Sequence, residues 1–133
     1  MKILLLFICL STFMFASEAS TFAKELGYLN SYATALKKAK KEHKILMLVE
    51  VEDGCTWCYK FVNTTLQTKA IKRATQRFVR VIVDKHTKLP VFFKTSFVPI
   101  VFFIDPYTQS FIVESIGYHN PKRFLLKINK VKK

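Results

Sequence analysis

In the stretch EVEDGCTWCYKF, residues 50–61, two cysteines are separated by two residues, directly behind an apolar run and three carboxylates. Thiols in this arrangement support three chemistries: a reversible disulfide, half of a metal site, or inert packing. On a helix, residues three apart share a face at about 5–6 Å, which is also roughly the Cα separation that a disulfide needs. Cys55 and Cys58 can therefore close and open a bond with little backbone movement. A helix beginning near Cys55 would set that thiolate against free backbone amides and the positive end of the helix dipole. Such a setting lowers a thiol pKa and makes Cys55 the attacking nucleophile. Cys58, one turn deeper, would be the resolving thiol that attacks the mixed disulfide and releases the partner.

The other two chemistries are weaker. A metal site wants about four ligands, and the remaining imidazoles, His43, His86 and His119, are scattered along the chain. Covalent haem attachment requires CxxCH, but Tyr59 follows Cys58. A fixed disulfide across so short a loop would restrain the unfolded chain little. Trp57, between the cysteines, reads either as an exposed aromatic that docks a partner or as a ring packed on the adjacent loop. Phe92, Phe93, Phe97, Phe102, Phe103 and Phe111 fall on strand-like runs and read as core.

The flanking segments supply the elements that must position the pair. Residues 30–43 have helical spacing at Tyr32, Leu36 and Ala39, a cap at Asn30 or Ser31, and lysines in the last turns that complement the helix dipole. Residues 45–51, ILMLVEV, read as a buried strand. Asp53-Gly54 is a turn signal, and a helix is expected from Cys55 to about 67. A short helix over 69–76, a strand over 78–84, a short helix or turn within 85–97 and a strand over 100–105 follow. Residues 105–109 turn the chain into a hairpin strand over 110–117, and Asn120-Pro121 opens a last helix to about 130. This order predicts one α/β domain: a small mixed sheet with helices on both faces, parallel where helices connect the strands and closed by an antiparallel hairpin.

The chain has 133 residues, half of them hydrophobic, which suits a single domain with a packed core. Its first residues read as an export signal. Lys2 gives a positive start, residues 3–15 an apolar run too short for a full membrane span, and the small residues Ser17 and Ala19 a cleavage site after Ala19, with Ala16 as the alternative. The domain is then expected over 20–133, in the periplasm, with Cys9 removed and only Cys55 and Cys58 left. Two cysteines cannot build the dense disulfide framework of a small secreted scaffold. The formal charge is +13, from 22 basic and 9 acidic residues. Such a surface favours acidic proteins or the anionic face of a membrane, while lysine-rich solvated helix faces are the plainer account of it. Nucleic acid is disfavoured, because no binding motif is present.

A strand, a CxxC at a helix start and a later strand preceded by a proline resemble the thioredoxin superfamily. FVPIVFFID (97–105) is similar to the segment that carries that family's cis-proline, and KKAKKEHKILMLVEVEDGCTWC to the exported thioredoxin-like proteins related to the C-terminal reductase domain of the membrane electron transporter DsbD. The resemblance covers roughly residues 30–131. It implies a thioredoxin fold with an extra N-terminal helix. Cys55 is then the nucleophile, Cys58 the resolving thiol, and Pro99 the cis-proline that packs on the disulfide and keeps metal out. The backbone of Val98 becomes the edge that pairs with an extended substrate. It implies no cofactor beyond the Cys55–Cys58 disulfide, protein thiols and disulfides as substrates, and a membrane electron donor. The chain departs from the family in having Gly54 before the first cysteine, Thr56-Trp57 between the two, and Val49 where the family keeps a buried acid. Glu50 or Glu52, which leave the strand on one face near the site, could take over as proton acceptor for Cys58, the plainer alternative being exposed carboxylates at the end of a strand. Asp53 more simply caps the CxxC helix. The resulting expectation is an exported thiol–disulfide reductase, with an oxidase or isomerase, or a redox-inert adaptor binding extended chains along Val98-Pro99, as alternatives.

Overall fold

The strand that organises the molecule is β1, Leu46–Val51, every residue of which is buried. The computed structural model describes residues 14–132, so residues 1–13, which hold most of the predicted signal, lie outside the described residues. β1 is flanked on one side by β2, Val79–Asp84, in parallel, and on the other by β3, Ile100–Ile104, antiparallel. β4, Phe111–Ile116, pairs antiparallel with β3 and completes a four-stranded mixed sheet in the order β2-β1-β3-β4. The helices are α1, Glu18–Leu26; α2, Tyr32–Glu42; α3, Thr56–Phe61; α4, Lys69–Thr75; and α5, Pro121–Asn129.

Strand alternation divides the core into two layers. Met47, Val49 and Val51 of β1 pack with Phe22 of α1, Cys58 and Phe61 of α3, Ile71 of α4 and Phe124 and Ile128 of α5. Leu46 and Leu48 face the other way, with Tyr32, Ala35 and Ala39 of α2 and with Phe93. Most helices begin where the residue types demand. Ser31 caps α2 by accepting from the Thr34 N–H, and Asn120 caps α5 by accepting from the Arg123 N–H, with Pro121 in the first turn.

Four features depart from the sequence reading. First, residues 18–26 form a helix that the reading assigned partly to a leader. Phe22, Ala23 and Leu26 recur on one face and are buried. Second, the single helix expected from Cys55 to 67 is α3 followed by a π-helical turn, Val62–Leu66, whose wider winding lets Val62, Thr65 and Leu66 all turn inward. Third, β3 runs antiparallel to β1. The 85–97 connection contains one 3-10 turn, Val91–Phe93, rather than a full crossover helix, so it never returns the chain to the start of the sheet. Ile100 therefore opens β3 opposite Glu50, near the end of β1. Fourth, Phe92, Phe97 and Phe111 are exposed and Phe93, Phe102 and Phe103 are buried. The first two lie in the connection, and the third sits on the edge strand, with its ring 5.6 Å from that of Phe102.

Candidate active site

The end of β1 delivers the chain into a tight turn. The Cys55 N–H donates to the Glu52 carbonyl at 3.3 Å, and Gly54, third in the turn, has φ +75°. That value belongs to a type II turn and suits glycine. A Cβ at Gly54 would meet nothing within 4 Å, so substitution strains only the backbone. Gly54→Ala should lower stability by about 1 kcal/mol, a loss that a urea unfolding curve would detect; an unchanged midpoint would show that the turn relaxes freely.

The turn makes Cys55 the N-cap of α3. Its Sγ accepts from the Cys58 N–H at 3.1 Å, and the two cysteines form a disulfide with Cα atoms 5.2 Å apart. The amide that contacts Sγ is one of the unpaired donors of the helix start, so it favours negative charge on that sulfur once the bond is reduced. Cys58 is fully buried among the core side chains and Cys55 is half-buried. Of the two sulfurs, that of Cys55 is the more accessible.

A groove of about 310 Å³ is lined by Trp57, from between the two cysteines, and by Val98, Pro99, Gly117 and Tyr118. The Val98–Pro99 peptide is cis. The Gly117 N–H donates to the Pro99 carbonyl at 2.8 Å, which ties the proline to the end of β4. Among the described residues no backbone hydrogen bond engages Val98, and its peptide edge is open to an extended chain. Trp57 is 55% exposed, with its ring 5.4 Å from that of Tyr118. The Lys60 ammonium stands over both rings, at 5.0 and 4.9 Å, and the Tyr118 hydroxyl meets Thr64. Trp57 thus packs on the neighbouring loop and still presents surface to the groove. Tyr118 and Lys60 were not singled out from sequence. Lys60 lies three residues after Trp57 on the same helix face, which was a usable signal, whereas nothing local marks Tyr118.

The three carboxylates before Cys55 go to three different environments. Glu50 is fully buried on the Leu46–Leu48 face of β1, in register with Val83 and Ile100, and neither carboxylate oxygen has a hydrogen-bond partner among the described residues. Burial pushes its pKa up to about 8. Glu52 lies beyond the strand and binds Lys85 at 3.0 Å and His86 at 3.1 Å. The hydrogen bonds from Lys85 and then His86 hold its carboxyl below the usual range. Asp53 accepts from the backbone N–H of Glu18 at 2.9 Å and so caps no part of α3. Cys58 is on the opposite sheet face from Glu50, beside Val49, and neither Glu50 nor Glu52 hydrogen-bonds a cysteine. His43 contacts Tyr107, and His119 lies near Ser115, both away from the cysteines.

The profile of a family described as thioredoxin-like matches residues 28–106. Among solved structures, a DsbH oxidoreductase is 24% identical, with 76% of this chain and 81% of that one covered and a TM-score of 0.62. A thioredoxin from Thermus thermophilus is 19% identical over 77% of this chain and 85% of its own, with a TM-score of 0.68. The oxidised C-terminal domain of DsbD from Neisseria meningitidis is 19% identical over 79% of this chain and 99% of its own, with a TM-score of 0.63. No curated protein sequence matches the chain. The fold, the matched profile and the CxxC at the start of α3 place the chain in the thioredoxin-like family.

Proposed function

We propose that this thiol–disulfide oxidoreductase works outside the cytoplasm as a reductase of protein disulfides. The observation that carries the chemistry is the Cys55 sulfur at the N-cap of α3, accepting the Cys58 N–H, two residues before Trp57, which walls the Val98-Pro99 groove. An extended substrate strand pairs with the Val98 edge and brings its disulfide to Cys55. The Cys55 thiolate attacks one substrate sulfur, breaking the substrate S–S bond and releasing one substrate thiolate. Cys58, as thiolate, then attacks the Cys55 sulfur, releases the second substrate thiolate and leaves the Cys55–Cys58 disulfide. Two electrons pass to the substrate, and a dithiol donor, placed at the membrane in this reading, returns the pair to its reduced form.

For the Cys58 proton, Glu52 is a poor acceptor because Lys85 and His86 hold it ionised. Glu50 is better matched in pKa, but it is fully buried on the other sheet face with no hydrogen-bond partner among the described residues, so it takes no direct part in the transfer. Export is supported by the signal-like character of residues 1–19, and reductive direction by the resemblance to the DsbD reductase domain. Among the described residues no helix is long and apolar enough to cross a membrane. The basic surface would help hold the protein near an anionic membrane where such a donor sits.

The test is the reduction potential of the Cys55–Cys58 couple, read by thiol trapping across a series of redox buffers. A value near roughly −270 mV supports a reductase, and one near roughly −120 mV makes the protein an oxidant. A pair that never cycles within that range would reduce the protein to a binding module.

A further inference from the structure

The N-terminal helix reaches into the turn that carries the nucleophile. The backbone N–H of Glu18, the first residue of α1, donates to Asp53 Oδ1 at 2.9 Å, and the Gly54 N–H donates to Glu18 Oε2 at 3.2 Å. The pair is reciprocal and bridges residues far apart in sequence. It occupies the last peptide N–H before Cys55, for which the described residues offer no other acceptor. The helix start is itself well built: Ser17 caps it by accepting from the Ser20 N–H at 3.2 Å, and Ala19 is buried. Behind it Phe22, Ala23 and Leu26 join the core layer that contains Cys58, and the Phe22 ring lies 6.4 Å from that of Tyr59 on α3. α1 is thus docked against the CxxC element at two levels, polar at the turn and apolar beneath it.

The charge distribution is unusual for so basic a chain. Of its 9 acidic residues, Glu18, Glu50, Glu52 and Asp53 all lie in or against the segment leading to Cys55. Glu52 is neutralised by Lys85 and His86, which leaves Glu18 and Asp53 as the anions held beside the turn. Negative charge there opposes the positive end of α3 and disfavours the Cys55 thiolate. A less stabilised thiolate means a less oxidising disulfide, since strongly oxidising couples owe their potential to a stabilised reduced form.

Resting on the oxidoreductase reading above, we propose that Glu18 is a positioning residue of the active site: it clamps the Asp53-Gly54 turn and biases the Cys55–Cys58 couple toward reduction of substrates. It follows that the working chain retains Ser17 and Glu18, so that a leader is removed after Ala16 and not after Ala19. Cleavage after Ala19 would take away the α1 cap, the clamp and one buried core residue together.

The experiment expresses the full chain with its leader and reads the N-terminus of the exported protein by intact mass. It then compares wild type, Glu18→Gln and Glu18→Ala for reduction potential and for the pH dependence of Cys55 alkylation. A chain beginning at Ser17 supports the proposal, and one beginning elsewhere, at Ser20 above all, overturns it. Glu18→Gln keeps an oxygen for the Gly54 N–H and removes only the charge. It should shift the alkylation profile to lower pH and move the exchange equilibrium toward the reduced form by on the order of threefold. Glu18→Ala should show the same shift and in addition a lower unfolding midpoint. If wild type cycles and Glu18→Gln has the wild-type potential and alkylation profile, the proposal fails while the oxidoreductase reading stands. If wild type does not cycle at all, the oxidoreductase reading fails, and the proposal fails with it.

Discussion

Cys58→Ser protein offered a disulfide-bonded substrate should stall as a covalent mixed disulfide through Cys55, while Cys55→Ser should neither turn over nor form the adduct. The reason is the asymmetry of the pair. Cys55 is the half-buried N-cap whose sulfur receives a helix-start amide, and Cys58 is fully buried one turn on. An incoming disulfide can reach only the first sulfur. Loss of either thiol removes a bond-forming step, so turnover should fall by roughly 10³-fold or more, to the background of free thiol exchange. Non-reducing electrophoresis after acid quench separates the outcomes. An adduct on Cys58 in the Cys55→Ser protein would reverse the assigned roles, and undiminished binding of extended peptides without any adduct in either variant would favour an adaptor.

The second large effect concerns stability. Wild-type protein should become less resistant to urea as pH rises from about 5 to 8, and Glu50→Gln should flatten that dependence. Glu50 is buried without a partner, and its pKa in the folded protein is raised from 4.5 to about 8. Between those values the unfolded chain has released the proton and the folded chain still holds it. The folded state therefore binds more protons, and stability falls as pH rises across the window, with the loss complete above the folded value. The full cost is on the order of 4 kcal/mol. An apolar replacement, Glu50→Leu, should raise the unfolding midpoint at pH 8 and have little effect at pH 5, because it removes a buried charge and keeps the neighbouring contacts with Val83 and Ile100. Parallel pH curves for wild type and Glu50→Gln would show that the carboxyl is solvated in the folded protein. The pH dependence of turnover in the same variants should be unchanged, since a purely structural carboxyl moves the stability curve alone.

Much of the site is local and was legible in the residues themselves. The spacing of Cys55 and Cys58, the apolar run of β1 before them and the turn signal at Asp53-Gly54 dictate a strand, a tight turn and a helix start within a dozen residues. The proline ahead of β3 and the cap at Asn120-Pro121 are equally short-range. Such features depend on side-chain periodicity, on glycine's tolerance of positive φ and on the missing N–H of proline, none of which needs the rest of the fold.

What the residues could not reveal depends on partners far along the chain. Alternation predicts Glu50 and Glu52 on one side of a strand, but the strand ends at Val51, so the lysine and histidine after β2 claim Glu52 while Glu50 stays in an apolar layer. Strand polarity was decided by the path of residues 85–97 rather than by their composition. Residues 17–19 look like a cleavage site because Ser17 and Ala19 are small, and the same small side chains let Ser17 cap a helix and Ala19 pack closely in the core. By itself, then, the sequence determined the redox pair, the order of strands and main helices from α2 onward, and the family. The tertiary structure alone decided which face each carboxylate takes, which rings wall the groove and which distant helix holds Cys55 in place, because burial and pairing across dozens of residues are set by how the layers pack and not by any local pattern.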